Sequence, residues 1–247
     1  MALAGLLTSI ATNAFAITGL EVMEKVDKAN SGSIGSESEM TMTLIDAKGN
    51  KVERQMNSMT IESDKGDKSI MEFSKPFDVK GTKLLTWTLK DEANQQWLYL
   101  PQFKRVKKIN SKNQSGSFMG SEFSYEDIAG EELEKYDYKL LSEDKSTWKV
   151  ESKPKETSGY SKLITVISKE KMNPLSVEYY DRRGGLLKKS KLSDYESQEV
   201  GKKTFHLATK IEMKNEQTKK SSIIEWKKRK LGVKNKESDF KSNRLKR

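Results

Sequence analysis

The sequence predicts an α+β fold that is mainly antiparallel β-sheet. Three observations support this prediction. Apolar and polar residues alternate over many short segments, as in strands with one buried face. Turn sequences rich in Asp, Asn, Lys and Gly separate these segments at regular spacing. Two segments, which begin at the capping residues Thr18 and Ser124, are predicted to be short helices. About ten or eleven strands joined as a meander would make a sheet long enough to curl.

The first predicted element is a helix over residues 19–30, because Thr18 and Glu21 form a capping box and Leu20, Met23 and Val26 follow at helical spacing. A second, shorter helix is predicted over residues 123–133, with Ser124 as its cap. Strands are predicted near residues 40–44, 52–63, 69–74, 84–89, 97–100, 136–143, 147–153, 161–168, 175–181, 205–213 and 223–230, with a short extended piece near 105–109. A terminal helical turn is predicted over residues 238–245.

The first sixteen residues differ from the rest of the chain, because they are uncharged and end in Ala14-Phe15-Ala16. This pattern predicts a secretory signal peptide that is cleaved after Ala16, leaving residues 17–247 as the folded domain. The alternative is a retained membrane anchor, for which the segment is shorter than the roughly 20 residues of a spanning helix. No linker or internal repeat divides the remainder.

Composition narrows the classes of protein to which the chain can belong. The absence of cysteine means that no disulfide supports the fold, and it excludes thiolate zinc and redox sites. The net charge of +10 is concentrated in residues 226–247, which hold ten Lys or Arg and two acidic residues. This stretch is either a solvated basic strand and tail or a surface attracted to an anionic membrane or partner. An exported protein is not expected to meet nucleic acid.

The sequence also argues against catalysis. His206 is the only histidine, and its position on the polar side of a strand indicates a surface residue. The G-x-S-x-G motif is absent, and the Gly-Ser loop at residues 115–121 lacks the spacing of a phosphate loop. We therefore predict no catalytic residues, no metal site and no cofactor.

Residues 96–128 combine features that indicate a ligand site. An aromatic strand is followed by a run of cations and then by a Gly-Ser loop whose apolar residues we expect to be exposed. This combination suits a surface that meets an apolar ligand with an anionic end. The predicted lining of an apolar cavity is Met71, Trp87, Trp97, Tyr99, Phe118, Met119 and Phe123. The predicted contacts to an anionic head or membrane are Lys104, Arg105, Lys107 and Lys108. The loop at residues 115–121 is the candidate lid.

Several of these segments resemble a known family. The motifs are MEF-x-x-P-x-DVKGT at residues 71–82, QWLYLP at residues 96–101, Lys104-Arg105, and GSFMGS-x-FSY-x-D at residues 116–127. They are similar to those of the outer membrane lipoprotein-sorting protein family, a LolA-like group associated with RND-type exporters. The resemblance implies an unclosed half β-barrel with short helices covering its concave apolar face. It also implies a periplasmic carrier that moves lipid or the acyl chains of lipoproteins towards the outer membrane.

Two other functions remain compatible with the residues. The protein could be an accessory or adaptor protein of an RND-type exporter, without lipid cargo of its own. It could also be an envelope-stress sensor domain, which shares the implied fold. A ligand cavity favours the carrier, whereas a fully packed core favours the adaptor.

Overall fold

The computed structural model describes residues 17–130 and 132–246, so the predicted signal peptide lies outside the described residues. The chain enters the fold through helix α1 (Gly19–Asn30), which confirms the predicted helix. Its capping box is formed, because Thr18 N donates to Glu21 Oε2 at 2.7 Å and Glu21 N donates to Thr18 Oγ1 at 3.2 Å. Val22 and Val26 form the buried side of the helix.

The described strands form one antiparallel sheet of thirteen members. They are β1 (Gly35–Ile45), β2 (Lys51–Ile61), β3 (Gly66–Lys75), β4 (Lys83–Leu89), β5 (Gln95–Leu100), β6 (Arg105–Ile109), β7 (Tyr136–Glu143), β8 (Thr147–Pro154), β9 (Tyr160–Ser168), β10 (Asn173–Asp181), β11 (Leu186–Val200), β12 (Lys203–Asn215) and β13 (Ser221–Leu231). Their order across the sheet is β6-β5-β4-β3-β2-β1-β13-β12-β11-β10-β9-β8-β7.

This order leaves β6 and β7 as the two edges, so the sheet is open. The predicted fold class, an unclosed antiparallel half-barrel with few short helices, is confirmed. The predicted count of ten or eleven strands is too low. The strand without a counterpart in the prediction is β11, whose inward positions include Lys188 and Ser190. Because polar residues occupy both faces of β11, the apolar alternation that marks a strand is missing there.

One long connection joins the two edge strands, and we call its residues 110–130 the crossover segment. It holds helix α2 (Tyr125–Ala129), which is shorter than the predicted helix over 123–133 because Gly130 leaves the helical conformation with φ +79°. The predicted cap is confirmed, since Asp127 N donates to Ser124 Oγ at 3.0 Å. The sheet face covered by α1 and the crossover segment is called the inner face below, and the opposite face is the outer face.

The inner face carries most of the buried apolar residues. The main inner cluster packs side chains of β1–β6, β12 and β13 against the crossover segment, and includes Met40, Met42, Met56, Phe73, Leu84, Leu98, Ile109, Phe118, Phe123, Met213 and Ile224. A second cluster packs Val22 and Val26 of α1 on Trp148, Val150 and Ile167. Met40, Met42 and Met56 are therefore ordinary core residues.

The outer face has an apolar cluster of its own, which the C-terminal tail covers. Phe240 and Leu245 are buried against Leu85, and the indole Nε1 of Trp87 donates to the carbonyl of Phe240 at 2.9 Å. The tail forms two short 3₁₀ turns, Glu237–Asp239 and Ser242–Arg244, in place of the single helical turn predicted over 238–245. Among the described residues, no helix is both long and apolar enough to span a membrane.

Candidate ligand cavity

The inner face contains a cavity of about 370 Å³ between α1, the crossover segment and the strands β7 and β9–β12. Its lining is mostly apolar: Met23, Phe123, Tyr136, Leu163, Pro174, Val177, Tyr179, Leu192, Ile211 and Met213, with Glu126, Asp127, Gly130, Tyr160, Thr165 and Ser190. This volume lies at the lower end of the range of about 300–1,000 Å³ typical of small-molecule pockets. The inner face therefore contains a cavity beneath α1 and the crossover segment, and this part of the protein is not a fully packed core.

Strand register explains why these residues meet. Thr165 pairs with Val177, Val177 with Ser190, and Ser190 with Met213, so four neighbouring strands present one row to the inner face. Leu192 and Ile211 pair in the next row. Because side chains on a strand alternate between faces, residues in register point to the same side. The cavity floor is thus set by the pairing of β9 to β12.

A buried ion pair closes one side of the cavity. Asp127 of α2 contacts Lys188 of β11, and the two side chains are 5% and 4% exposed. The hydroxyl of Tyr160 donates to Asp127 Oδ1 at 2.7 Å, and Lys188 Nζ donates to the carbonyl of Glu122 at 3.0 Å. Burial raises the pKa of Tyr160, so its hydroxyl remains a donor. The pair therefore fixes the crossover segment to the sheet.

The ammonium group of Lys188 is further surrounded by aromatic rings. It lies 5.3 Å from the ring centroid of Tyr160 and 5.2 Å from that of Tyr179. Such contacts stabilise a desolvated cation by about 2 kcal/mol. The charges on this side of the cavity are thus already satisfied within the protein, which leaves the apolar lining as the part available to a ligand.

A second acidic residue, Glu126, ties the crossover segment to the turn before β9. Its carboxylate accepts hydrogen bonds from the hydroxyl of Ser158 and from the backbone N–H of Gly159, the latter at 2.9 Å. Burial raises the pKa of Glu126. The approach is close, since a Cβ on Gly159 would lie 2.6 Å from the Cβ of Ser115. Glycine at position 159 therefore permits the contact.

The crossover segment is anchored along its length. Gln96 Nε2 donates to the carbonyl of Tyr125 at 2.9 Å, and Thr88 Oγ1 donates to the carbonyl of Ala129 at 2.8 Å. Asn215 of β12 donates to the Glu122 carboxylate at 2.8 Å. These bonds reach both halves of the sheet, so the segment forms a bonded roof over the inner face.

The expectation that the Gly-Ser loop exposes its apolar residues is wrong. Phe118 is 0% exposed, and its ring lies 5.7 Å from that of Phe73 and 5.6 Å from that of Tyr125. Met119 is partly buried in the main inner cluster, and Phe123 is buried and lines the cavity. The physical reason is that a crossing segment needs apolar residues to pack on the sheet, and a sequence does not show what lies beneath a loop.

The structure does not bring the seven predicted lining residues into one cavity. Met71 lies on the inner face with the three crossover residues. Trp87, Trp97 and Tyr99 lie on the outer face around Leu85, with the indole rings 5.0 Å apart. Of the seven, only Phe123 lines the inner cavity.

The four predicted cations are exposed on or beside the edge strand β6. Lys107 borders an apolar groove of about 420 Å³ between the edge and the crossover segment, which we call the edge groove. The groove is lined by Leu98, Leu100, Lys107, Ile109, Lys112, Asn113, Ser115, Gly116 and Tyr125. Lys108 points to the outer face, where its ammonium lies 5.4 Å from the ring of Trp97. Sequence reasoning missed Lys112.

The outer face has a larger and more open depression of about 660 Å³. Its lining is highly charged, because it includes the acidic residues Glu37, Glu39 and Glu72 and the basic residues Lys228, Arg229 and Lys230, together with Ser38, Asn57, Ser58, Met59 and Ile70. Glu39 and Lys228 form an ion pair at 2.9 Å. Burying an acyl chain here would desolvate these charges, so the smaller inner cavity is the better candidate for an apolar ligand.

Comparison with known proteins identifies the family. A family model described as an uncharacterised protein matches residues 65–247. A crystal structure described as an outer membrane lipoprotein-sorting protein domain from Vibrio parahaemolyticus is 37% identical, with a TM-score of 0.88, and covers 93% of this chain and 98% of its own. The chain belongs to the outer membrane lipoprotein-sorting protein family. No curated protein matches the sequence.

Two further crystal structures have the same fold as this chain. A DUF1329 family protein from Desulfovibrio piger is 25% identical, with a TM-score of 0.86 over 92% of this chain and 97% of its own. A LolA superfamily protein from Nitrosomonas europaea is 18% identical, with a TM-score of 0.71 over 92% of this chain and 98% of its own. The resemblance to LolA-like proteins in the motifs of residues 71–127 is therefore confirmed at the level of the fold.

Proposed function

We propose that this protein is a periplasmic carrier that holds an acyl chain of a lipid or lipoprotein in the inner cavity and moves it towards the outer membrane. The observation that carries the proposal is the apolar cavity of about 370 Å³ roofed by α1 and the crossover segment. The family name, taken from a relative that this chain matches over nearly its whole length, supports it. Residues 1–16 would direct export and would be cleaved from the mature protein after Ala16.

The physical task of such a carrier is to hide methylene groups from water. Each exposed CH₂ costs about 0.8 kcal/mol, so even a short chain gains several kcal/mol on entering an apolar space. Met23 and Met213 line the cavity from the helix and from the floor. Unbranched methionine side chains repack around flexible ligands more readily than branched ones. The proposed role is binding and release, without a catalytic step.

The edge groove is the proposed place for the anionic head of the ligand. Lys107 and Lys112 border the groove, while Leu98 and Leu100 supply its apolar floor. Lys104, Arg105 and Lys108 lie nearby on the same edge and add positive potential. Because the crossover segment is hydrogen-bonded to both halves of the sheet, we propose that the cavity opens by movement of α1 away from the sheet.

A cavity-filling substitution tests the proposal. We expect Leu192→Trp to lower the affinity for a fluorescent acyl probe at least tenfold, because the indole would occupy the space between Leu192 and Ile211. The rise in melting temperature that the probe gives the unaltered protein should disappear as well. Overpacking costs typically about 1–3 kcal/mol, so affinity is measured under conditions where circular dichroism shows a folded variant.

The matched control is Ile70→Trp, which places the same indole in the depression of the outer face. We expect this variant to bind the probe as the unaltered protein does. If Ile70→Trp abolished binding and Leu192→Trp did not, the ligand would lie on the outer face near Trp87 and Trp97. If the unaltered protein bound no acyl probe at tens of micromolar, the carrier role would be refuted and a cargo-free accessory role favoured.

A further inference from the structure

Two phenylalanines stand out on the surface of the described residues. Phe77 is 94% exposed and Phe103 is 65% exposed, whereas fully exposed aromatic rings are uncommon on a folded domain. Phe77 follows β3, and Phe103 lies in the turn between β5 and β6. Both turns lie at the same end of the sheet, because successive strands of the meander are antiparallel. We call this pair the aromatic tip.

A hydrogen bond joins the two turns, and the second turn has a defined 3₁₀ conformation. Gln102 Nε2 donates to the carbonyl of Asp78 at 3.0 Å. Pro101 begins the 3₁₀ turn Pro101–Phe103, and Lys104 ends it in the left-handed conformation with φ +47°. A Cβ on Gly81 would lie 3.6 Å from the Pro101 ring, which places the Gly81 backbone beside that ring. The tip is therefore presented by a bonded double turn.

Positive charge surrounds the tip. The two turns and the start of β6 carry six cations, which are exposed and make no ion pair within the described part of the chain: Lys75, Lys80, Lys104, Arg105, Lys107 and Lys108. The acidic residue of these segments is Asp78, so six positive charges and one negative charge give a net of +5. The part of the C-terminal basic stretch that belongs to β13 lies several strands away.

We infer that the aromatic tip is a membrane-docking surface that inserts Phe77 and Phe103 into the interface of an anionic lipid bilayer. The exposed aromatic rings suit the acyl chains of such an interface, and the surrounding cations suit its anionic headgroups. Each Lys or Arg near an anionic surface contributes about 1 kcal/mol, and stable attachment requires both an apolar and an electrostatic contribution. The cations alone would give only salt-sensitive attraction.

Docking through the tip would also set an orientation. Leu100 pairs with Arg105 at the base of the same turn and lines the edge groove. A docked protein would therefore hold the groove close to the headgroups. This last step rests on the proposed function, whereas membrane binding itself does not.

Co-sedimentation with protein-free vesicles tests the inference. We expect the protein to bind vesicles that contain phosphatidylglycerol and to bind pure phosphatidylcholine vesicles at least tenfold more weakly. Phe77→Ser/Phe103→Ser should lower the binding to anionic vesicles by about tenfold or more, since the two rings that would enter the bilayer are removed. The matched control is Leu20→Ser/Leu141→Ser, which removes two exposed leucines elsewhere on the molecule and should bind as the unaltered protein does.

A site-specific label gives the position of the tip directly. Because the chain contains no cysteine, Phe77→Cys and Leu141→Cys each accept one environment-sensitive fluorophore. We expect the label at position 77 to shift to the blue on adding anionic vesicles and to be quenched by lipid-borne quenchers. The label at position 141 should not respond.

Three results would overturn the inference. They are failure of the unaltered protein to bind protein-free anionic vesicles, equal binding by the double phenylalanine variant, and equal responses of the two labels. The first would assign the tip to a protein partner. Leu192→Trp distinguishes this test from that of the proposed function, because it should lose the acyl probe and retain vesicle binding.

Discussion

Replacing Lys188 by Met is expected to lower the free energy of unfolding by about 3–5 kcal/mol. The substitution removes the cation from a pair in which Asp127 is 5% exposed. The Asp127 carboxylate would keep its bonds from Tyr160 and from the backbone N–H of Ser124 but would lose its counter-charge. Urea unfolding followed by circular dichroism measures the loss.

The next residue along the chain supplies the matched control. Lys189 pairs with Glu178 at 2.7 Å, but these side chains are 45% and 29% exposed. Exposed ion pairs contribute about 0–1 kcal/mol, so Lys189→Met should change stability by less than about 1 kcal/mol. The double variant Lys188→Met/Asp127→Leu should be less destabilised than the sum of its single variants, since neither charge is then left alone. Equal effects of Lys188→Met and Lys189→Met would refute the structural role of the buried pair.

Phe118→Ala is expected to cost about 3–5 kcal/mol, because the side chain is completely buried between the crossover segment and the sheet. Its ring contacts those of Phe73 and Tyr125, which are lost together. Phe77→Ala, at a ring that is 94% exposed, should change stability by less than about 0.5 kcal/mol. A small effect of Phe118→Ala in urea unfolding would mean that residues 115–121 form a mobile lid and not a bonded roof.

Much of the fold could be predicted because its signals are local. The capping box of Thr18 and Glu21 marks α1, and the apolar alternation over residues 205–213 marks β12. Turn sequences such as residues 46–50 join hairpins whose partners are adjacent in the chain. In a meander nearly every strand pairs with its sequence neighbour, so local reasoning reaches most of the topology.

The parts that sequence reasoning missed depend on distant contacts. β11 shows no apolar alternation because its inward Lys188 is matched by Asp127, 61 residues earlier in the chain. The sequence predicts Trp97 in the cavity lining, but its strand neighbour Leu98 faces inwards, so the tryptophan faces outwards. Which face of a strand is inner is decided by the crossover segment and the C-terminal tail, and neither is visible in the strand itself.

The placement of the crossover segment changes the interpretation of residues 96–128. The apolar residues of the crossover segment pack on the sheet, whereas the cations of residues 104–108 lie on or beside the edge strand β6. Among the described residues, the most exposed large apolar side chains are those of Phe77 and Phe103, which the sequence does not distinguish from core residues. Exposure, more than composition, separates a binding surface from packing in this protein.

We claim that the inner cavity holds acyl chains in the cell, and mass spectrometry of an organic-solvent extract of the protein, purified from its native envelope, would detect them directly. We expect acyl-containing molecules in near-stoichiometric amount from the unaltered protein and at least a tenfold smaller amount from Leu192→Trp. The outer-face control Ile70→Trp should yield as much as the unaltered protein. An extract without acyl chains, or equal yields from Leu192→Trp and the unaltered protein, would contradict the claim.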